Sequence, residues 1–156
     1  MDIADMPGHL IRRLQQIAVA VFHAELTAIG SDLTPVQYAA LRTIAERPGL
    51  DQASLASLIA YDRVTIGGVV ERLASKGLIA REVSARDRRA RVLTIVPKGR
   101  ALLDMVEPGV IKAQETMLGG LDETETAEFM RLLRKASAAR NESSRAPLRR
   151  TTADAD

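Results

Sequence analysis

The centre of the chain changes from helical to strand spacing within a few residues, and this change constrains the fold more than any other feature. Residues 62–76 carry four apolar side chains at helical spacing, which are Ile66, Val69, Val70 and Leu73. The runs 78–83 and 91–96 that follow are rich in β-branched residues, which favour strands. The pattern predicts a helix followed by a two-stranded hairpin with a long loop at 84–90.

A second, shorter helix is predicted immediately before this one. Asp51 is placed to cap it, and Leu55 and Leu58 give it an apolar face. Residues 60–62 then leave room for a tight turn, and Asp62 can cap a helix that runs to Lys76 and is closed by the next residue, a glycine. Two short helices joined by such a turn form a helix-turn-helix, and the hairpin behind it corresponds to a wing.

Longer helices are predicted on both sides of this region. An apolar stripe indicates one helix over residues 9–29, and a capping box of Asp122 and Glu125 starts the last one. We therefore predict a mainly α fold: a winged helix-turn-helix lobe at 33–100 between dimerisation helices at 8–30 and 101–140. These terminal helices carry more apolar surface than the short central elements can cover, which favours a two-fold dimer. Residues 141–156 are polar and lack periodicity, and are predicted to be disordered. Arg145, Arg149 and Arg150 among them can contact DNA phosphates, although a solubilising tail is the favoured interpretation.

Positive charge is concentrated in the predicted lobe. Residues 62–100 contain ten Lys and Arg against four acids, a balance of +6, whereas the rest of the chain carries 12 basic and 16 acidic residues, or −4. A basic centre between more acidic ends is typical of a protein that binds a polyanion.

One face of the predicted 62–76 helix has the character that a DNA major groove requires. Small residues near its start allow close approach, and long cations can reach guanine edges or phosphates. The candidate DNA contacts on this helix are Arg63, Thr65, Gly68, Arg72 and Lys76. The neighbouring glycines at 67 and 68 cost about 1 kcal/mol each relative to alanine. Close approach to DNA or to the preceding helix, or simple local looseness, are alternative explanations.

The hairpin loop is the second basic cluster. Arginines of such a wing can enter a minor groove or clamp phosphates, and an aspartate among them can orient one arginine by a bidentate pair. A solvated turn is the alternative interpretation. The candidate contacts here are Arg86, Asp87, Arg88, Arg89 and Arg91.

Several classes of protein are disfavoured by composition. The chain has no cysteine, which excludes thiol chemistry and disulfides. Its two histidines, His9 and His23, are about 21 Å apart along one helix at ~1.5 Å per residue, so we expect no metal site. No phosphate loop or nucleophile motif is present, so we expect neither an enzyme nor a cofactor. No apolar run reaches membrane-spanning length and no signal peptide is evident, so we expect a cytoplasmic protein. A helical module whose basic hairpin binds an acidic protein is the alternative function.

Several segments between residues 9 and 140 together resemble the MarR family of transcriptional regulators. They are LTPVQYAAL at 33–41, DRVT at 62–65, VERLASKGLI at 70–79, DRRARVLT at 87–94 and KGR at 98–100. The resemblance implies a triangular dimer that binds pseudo-palindromic DNA, usually as a repressor released by a small molecule. It also implies that residues 63, 65, 72 and 76 belong to the recognition helix and residues 87, 88 and 91 to the wing.

The start of the predicted first helix is similar to a subset of that family. PGHLIRRLQQ at 7–16 resembles members that control breakdown of aromatic acids such as hydroxynicotinate, or hydroxycinnamates sensed as coenzyme A thioesters. The family's ligand pocket lies between this helix and the DNA-binding lobe. A guanidinium suits a carboxylate, and a tyrosine can bond to or stack on a ring. The candidate effector residues are His9, Arg12, Arg13, Gln16 and Tyr38, with salt bridges between subunits or a hydrated surface as the alternative role.

Overall fold

The computed structural model of the chain describes residues 2–84 and 91–149. Within them, most residues belong to α-helices and short strands, with 3-10 turns at Ile3–Asp5 and Asn141–Ser143. The helices are α1 Pro7–Ala28, α2 Pro35–Glu46, α3 Gln52–Leu58, α4 Ile66–Ser75, α5 Pro97–Leu118 and α6 Glu123–Ala139. The strands are β1 Leu50–Asp51, β2 Ile79–Val83 and β3 Arg91–Ile95.

The described residues form two compact units. The first comprises residues 2–35 and 105–130, and the second comprises residues 36–104 and 131–149. The second unit begins and ends its main segment within a few residues of the predicted 33–100 lobe, but it also includes the last part of α6 and the residues after it. The predicted dimerisation segment 101–140 is therefore divided between the two units.

A three-stranded antiparallel sheet lies in the second unit, in the order β1-β3-β2. The predicted hairpin is confirmed, with Ile79 opposite Ile95 and Val83 opposite Arg91. The sequence analysis missed β1, in which Leu50 pairs with Leu93. Two residues are too few to show an alternating pattern, and Asp51 also caps α3 by accepting a 2.6 Å hydrogen bond from the Ser54 amide. The hairpin is thus part of a larger sheet.

The predicted apolar face of α4 is confirmed, because Ile66, Val69, Val70 and Leu73 are all buried. The helix packs between α3 and β2 of the same unit. Close contact at the start of α5 completes this core, because a Cβ on Gly99 would overlap the carbonyl oxygen of Leu78. Position 99 therefore accepts only glycine without movement of the backbone.

The first unit contains a close approach between α1 and α5. A Cβ on Gly109 would lie 2.8 Å from Cδ1 of Ile29 and 3.4 Å from the carbonyl oxygen of Glu25. Glu25 also pairs with Lys112 at 3.1 Å. Even so, much of α1 remains uncovered, since Phe22 and Leu26 are its buried residues. Large apolar side chains of this unit are exposed at Leu10, Ile11, Ile17, Met105 and Ile111, among others.

Helix α6 begins with the capping box that the sequence predicts. The Asp122 carboxylate accepts from the Glu125 amide at 2.9 Å, and the Glu125 carboxylate accepts from the Asp122 amide at 3.0 Å. Along α6, which is described in full, none of the side chains is buried. Leu132 and Leu133 are 48% and 40% exposed.

The predicted start of α4 is wrong by three residues, because the helix begins at Ile66 rather than just after Asp62. The Asp62 side chain accepts a hydrogen bond from the Val64 amide at 2.7 Å, and its carbonyl accepts from the Thr65 and Ile66 amides at 3.1 and 2.9 Å. These bonds close a turn over residues 63–65. An aspartate that accepts hydrogen bonds from the next backbone amides is equally favourable in a turn and at the start of a helix, so its presence alone does not place the helix start.

The C-terminal segment, which we define as residues 141–149, differs from the predicted disorder. It contains a 3-10 turn and its Arg149 amide donates to the Ser57 carbonyl at 2.9 Å. Asn141 forms a hydrogen bond to both the amide and the carbonyl of Leu148, at 2.8 and 3.1 Å. Hydrogen bonds from polar side chains, rather than an apolar stripe, give this segment its conformation. Amphipathic spacing in the sequence does not indicate such hydrogen bonds. Residues 150–156 lie outside the described residues.

Among the helices of residues 2–84 and 91–149, none has both the length and the apolar character that a membrane-spanning helix needs.

Both helices of the helix-turn-helix end in a left-handed residue. After α3 this residue is Ala60, with φ of 51°, and after α4 it is Gly77, with φ of 69°. In each case the next amide bonds back to the last turn: Tyr61 to Ala56 at 2.9 Å and Leu78 to Leu73 at 3.0 Å. This is the Schellman arrangement, in which glycine is the usual residue. Ala60 adopts it with the steric cost of a Cβ.

We expect Ala60→Gly to raise the free energy of unfolding by about 1 kcal/mol, because the lost steric cost exceeds the added chain entropy. Gly77→Ala is the matched control and should lower it by about the same amount, since a Cβ there meets nothing within 4 Å and only the positive φ is unfavourable. Denaturant unfolding at one protein concentration would measure both. A destabilised Ala60→Gly variant would contradict this account of the turn.

Candidate nucleic-acid interface

The turn before α4 exposes three side chains whose chemistry suits contact with a nucleic acid. Arg63, Val64 and Thr65 are all exposed, Val64 to 89%. The Thr65 hydroxyl donates to the Asp62 carbonyl at 3.1 Å, which fixes the end of the turn. Together with α4 and its last residue, this turn forms what we call the recognition segment, Arg63–Lys76. Its first residues present a cation, a branched apolar group and a hydroxyl to solvent.

The rest of the predicted DNA-binding face lies along α4. Gly68 and Arg72 are exposed, whereas Lys76 is half-buried. The carbonyl of Lys76 accepts a 2.8 Å hydrogen bond from Nζ of Lys98. A cation at the carbonyl end of a helix is favourable because of the helix dipole. Lys98 therefore supports the end of the recognition segment from α5.

The two glycines of α4 have different surroundings. A Cβ on Gly67 would lie 3.4 Å from Nε2 of Gln52, which is ordinary contact, whereas a Cβ on Gly68 would meet nothing within 4 Å. Packing against α3 therefore requires neither glycine. Gly68 lies on the exposed face, where the absence of a side chain permits close approach of a ligand.

The hairpin supplies Arg91, which is exposed at the first position of β3. The other predicted contacts of the loop, Arg86, Asp87, Arg88 and Arg89, lie outside the described residues. Their proposed role in DNA binding stays a prediction.

The sequence analysis missed two residues that bear on this surface, Val64 and Lys98, and left Arg145 open between a phosphate contact and a solubilising tail. Val64 gave no periodic signal because it lies in a turn, and Lys98 is 22 residues from the carbonyl that it contacts. Arg145 lies beside the recognition segment, since its Nη2 is 3.3 Å from Oδ2 of Asp62. No spacing in the sequence indicates such a long-range pair.

The structure brings together three of the five predicted effector residues on α1. Nη1 of Arg12 donates to Oε1 of Gln16 at 2.9 Å, and its Nη2 lies 3.5 Å from Nδ1 of His9. Arg12 and Gln16 are exposed, as is Arg13 beside them, and His9 is half-buried. Tyr38 is half-buried in the second unit. We call His9, Arg12 and Gln16 the α1 cluster, and the Arg12 guanidinium lies at its centre.

Within residues 2–84 and 91–149, no group of three or more His, Cys, Asp or Glu side chains is arranged to hold a metal ion. The chemistry of the described surface is that of hydrogen bonding and charge: arginines that can form forks to guanine or phosphate, a small residue for close approach and an apolar group that suits a thymine methyl.

Comparison with known proteins shows which family carries this lobe. A model described as MarR family matches residues 31–90, which contain the helix-turn-helix and the first strand of the hairpin. The repressor NicR of Pseudomonas putida is 32% identical over 134 residues, covering 86% of this chain and 84% of its own. The chain belongs to the MarR family. It is a DNA-binding transcriptional regulator with a winged helix-turn-helix.

Two solved structures of MarR-type regulators are similar in both sequence and fold. Bordetella bronchiseptica BpsR, whose DNA binding is regulated by 6-hydroxynicotinic acid, is 31% identical with a TM-score of 0.82, covering 88% of this chain and 96% of its own. PcaV of Streptomyces coelicolor, solved in complex with its natural ligand, is 31% identical with a TM-score of 0.81, covering 89% and 96%. The fold and family that the motifs predicted are thus confirmed.

We expect Gly68→Ala to weaken DNA binding about tenfold, or about 1.4 kcal/mol, because the added methyl separates α4 from the groove. Its stability should rise by up to about 1 kcal/mol, as expected for replacing a helical glycine. Fluorescence anisotropy of a labelled DNA duplex taken from upstream of the gene would measure the change in affinity, and thermal unfolding would measure the change in stability.

Gly67→Ala is the matched control for this experiment. It makes the same change one position away, on the side that faces Gln52, and should leave the affinity for DNA unchanged. Equal affinities of the two variants and the native protein would show that Gly68 is not at the interface.

Proposed function

We propose that this chain acts as a homodimeric repressor, which binds a pseudo-palindromic operator and is released by a small aromatic carboxylate or its coenzyme A thioester. The observation that carries the proposal is the exposed recognition segment within a MarR-family lobe. Its arginines, its small residue at 68 and its exposed Val64 have the chemistry of a major-groove surface.

The terminal helices support a dimer. Helix α6 has no buried side chain along its 17 residues, and α1 has two along 22. Exposed leucines and isoleucines on these helices are favourable only when they are covered, and a second copy of the chain is the natural cover. A two-fold dimer also presents two recognition segments about 34 Å apart, one turn of DNA.

The relatives and the α1 cluster support the effector class. BpsR responds to 6-hydroxynicotinic acid, which is an aromatic carboxylate. In this chain, Arg12 offers a planar guanidinium that is preorganised by Gln16, at 2.9 Å. Such a fork matches a carboxylate in geometry as well as in charge. We propose that Arg12 binds the carboxylate and that His9, Arg13 and Gln16, on the same helix, complete this part of the site.

The first experiment is anisotropy of the duplex upstream of the gene, titrated with protein over a range of salt concentrations. We expect tight binding whose log K falls linearly with log salt, with a slope of about −0.9 per phosphate contact. Arg72→Gln should lower the affinity and, where Arg72 contacts a phosphate, reduce the slope by about 1.8 for the two subunits.

A protein that shows no preference for any genomic duplex over random DNA would refute the repressor proposal. Salt-sensitive binding to an acidic protein in its place would favour an interaction module whose basic hairpin binds that partner.

The effector is tested by adding aromatic carboxylates and their coenzyme A thioesters to the protein–DNA complex. We expect one compound to release the duplex, and Arg12→Gln to weaken its binding about 10- to 100-fold, as expected for loss of a hydrogen bond to a charged group. Arg12→Lys should recover part of the affinity, since it keeps the charge but not the fork. Calorimetry measures these affinities without DNA.

Unchanged affinity in both Arg12 variants would place the carboxylate elsewhere. Failure of every compound to release the duplex would reject the proposed effector class while leaving the DNA-binding function intact.

A further inference from the structure

The C-terminal segment, residues 141–149, is attached to the helix-turn-helix at two points. The Arg149 amide donates to the Ser57 carbonyl at the end of α3, at 2.9 Å. Nη2 of Arg145 lies 3.3 Å from Oδ2 of Asp62, immediately before the recognition segment. Both contacts lie within the second unit. The segment therefore borders the surface assigned to DNA.

Internal bonds hold the C-terminal segment in this position. Asn141 bonds to both the amide and the carbonyl of Leu148, which closes the segment into a loop. The Arg149 guanidinium donates to both oxygens of Glu142, at 2.6 and 2.8 Å. Hydrogen bonding by the Arg149 guanidinium lowers the pKa of Glu142. Arg149 thus has a structural partner for its charge.

The charge of Arg145 remains accessible. Its side chain is 91% exposed, and the described contact engages one nitrogen of a guanidinium that has five N–H donors. The carboxylate that it touches is shared, because Oδ1 of Asp62 already accepts from the Val64 amide at 2.7 Å. Arg145 can therefore form hydrogen bonds to a further anion.

Arg145 and Arg63 line the same groove. This groove has a volume of about 270 Å³, and Tyr61 and Asp62 form part of its wall. Two guanidiniums thus lie at the start of the recognition segment, on chain segments 82 residues apart in sequence. Exposed cations next to a recognition helix typically contact the phosphates that flank the bases being read.

We propose that the C-terminal segment is part of the DNA interface and that Arg145 binds a phosphate beside the operator half-site. This inference rests on the proposed DNA binding and adds a contact outside the helix-turn-helix and the hairpin. The contact is to the backbone of DNA, so it strengthens binding to any sequence and positions the recognition segment without reading bases.

Arg145→Gln in the full chain tests the proposal. We expect log K to fall less steeply with log salt, by about 0.9 per subunit and about 1.8 per dimer, because one phosphate contact is lost on each half-site. Affinity should fall by similar factors for the operator and for random duplex. Arg145→Lys should restore the native slope, since it keeps the charge.

Two controls separate a phosphate contact from a structural role. Asp62→Asn removes the ion pair but keeps a side chain that can accept from the Val64 amide. Its affinity can change, because Asp62 shapes the recognition segment, but its salt slope should stay native since Arg145 still reaches its phosphate. If Arg145 acted only by holding Asp62, this variant would lower the slope as Arg145→Gln does. Lys135→Gln removes one exposed positive charge from α6 and should leave the slope unchanged.

Three results would overturn the proposal. An unchanged salt slope in Arg145→Gln, or an equal reduction of the slope in Arg145→Gln and Asp62→Asn, would leave Arg145 with a structural role. Tighter binding of Arg145→Gln would mean that the segment obstructs DNA. In each case the native protein still selects its operator, whereas failure of the native protein to select any duplex would refute DNA binding itself.

Discussion

Asp62 organises the start of the recognition segment, and the rest of the DNA-binding surface depends on it. Its carbonyl accepts from the Thr65 and Ile66 amides, while one carboxylate oxygen accepts from the Val64 amide. The second oxygen faces Arg145. One residue thus fixes the turn that exposes Arg63 and connects that turn to a distant part of the chain. A buried carboxylate would be costly, but the Asp62 side chain remains 30% exposed and its hydrogen bonds offset the loss of water.

The apolar face of α4 and its two ends then fix the orientation of the segment. Buried Val70 and Leu73 hold the helix in the core, and the left-handed Gly77 turns the chain directly into β2. Lys98 reaches back from α5 to the last carbonyl. These restraints lie on the buried side and at the two ends of α4. The exposed face is therefore not needed to hold the helix in place and is accessible to a ligand.

Features that follow from spacing between near neighbours in the sequence were predictable, whereas very short elements and contacts between distant residues were not. The α4 face and the α6 capping box follow from spacing alone, and both are confirmed. Strand β1 has two residues and no period, so nothing in the sequence separates it from the cap of α3. The start of α4 was placed too early, since an aspartate can begin a turn as readily as a helix.

The candidate site divides in the same way. The outer face of α4 follows from its helical period, and the family from the order of its motifs. Arg145 and Lys98 act through contacts that join parts of the chain far apart in sequence, and only the fold brings them to the recognition segment. The hydrogen bonds that shape the C-terminal segment are likewise specific to its individual side chains.

The contrast between Gly99 and Val64 has a consequence for how such a regulator can diverge. Position 99 has no space for any side chain, because the Leu78 carbonyl occupies it. Position 64 projects into solvent, so the fold tolerates almost any side chain there. Substitution at position 64 can therefore change the surface that the recognition segment presents, while the lobe that carries it stays fixed. A gene duplicate of this protein can change that surface in single steps, each of which leaves a folded protein.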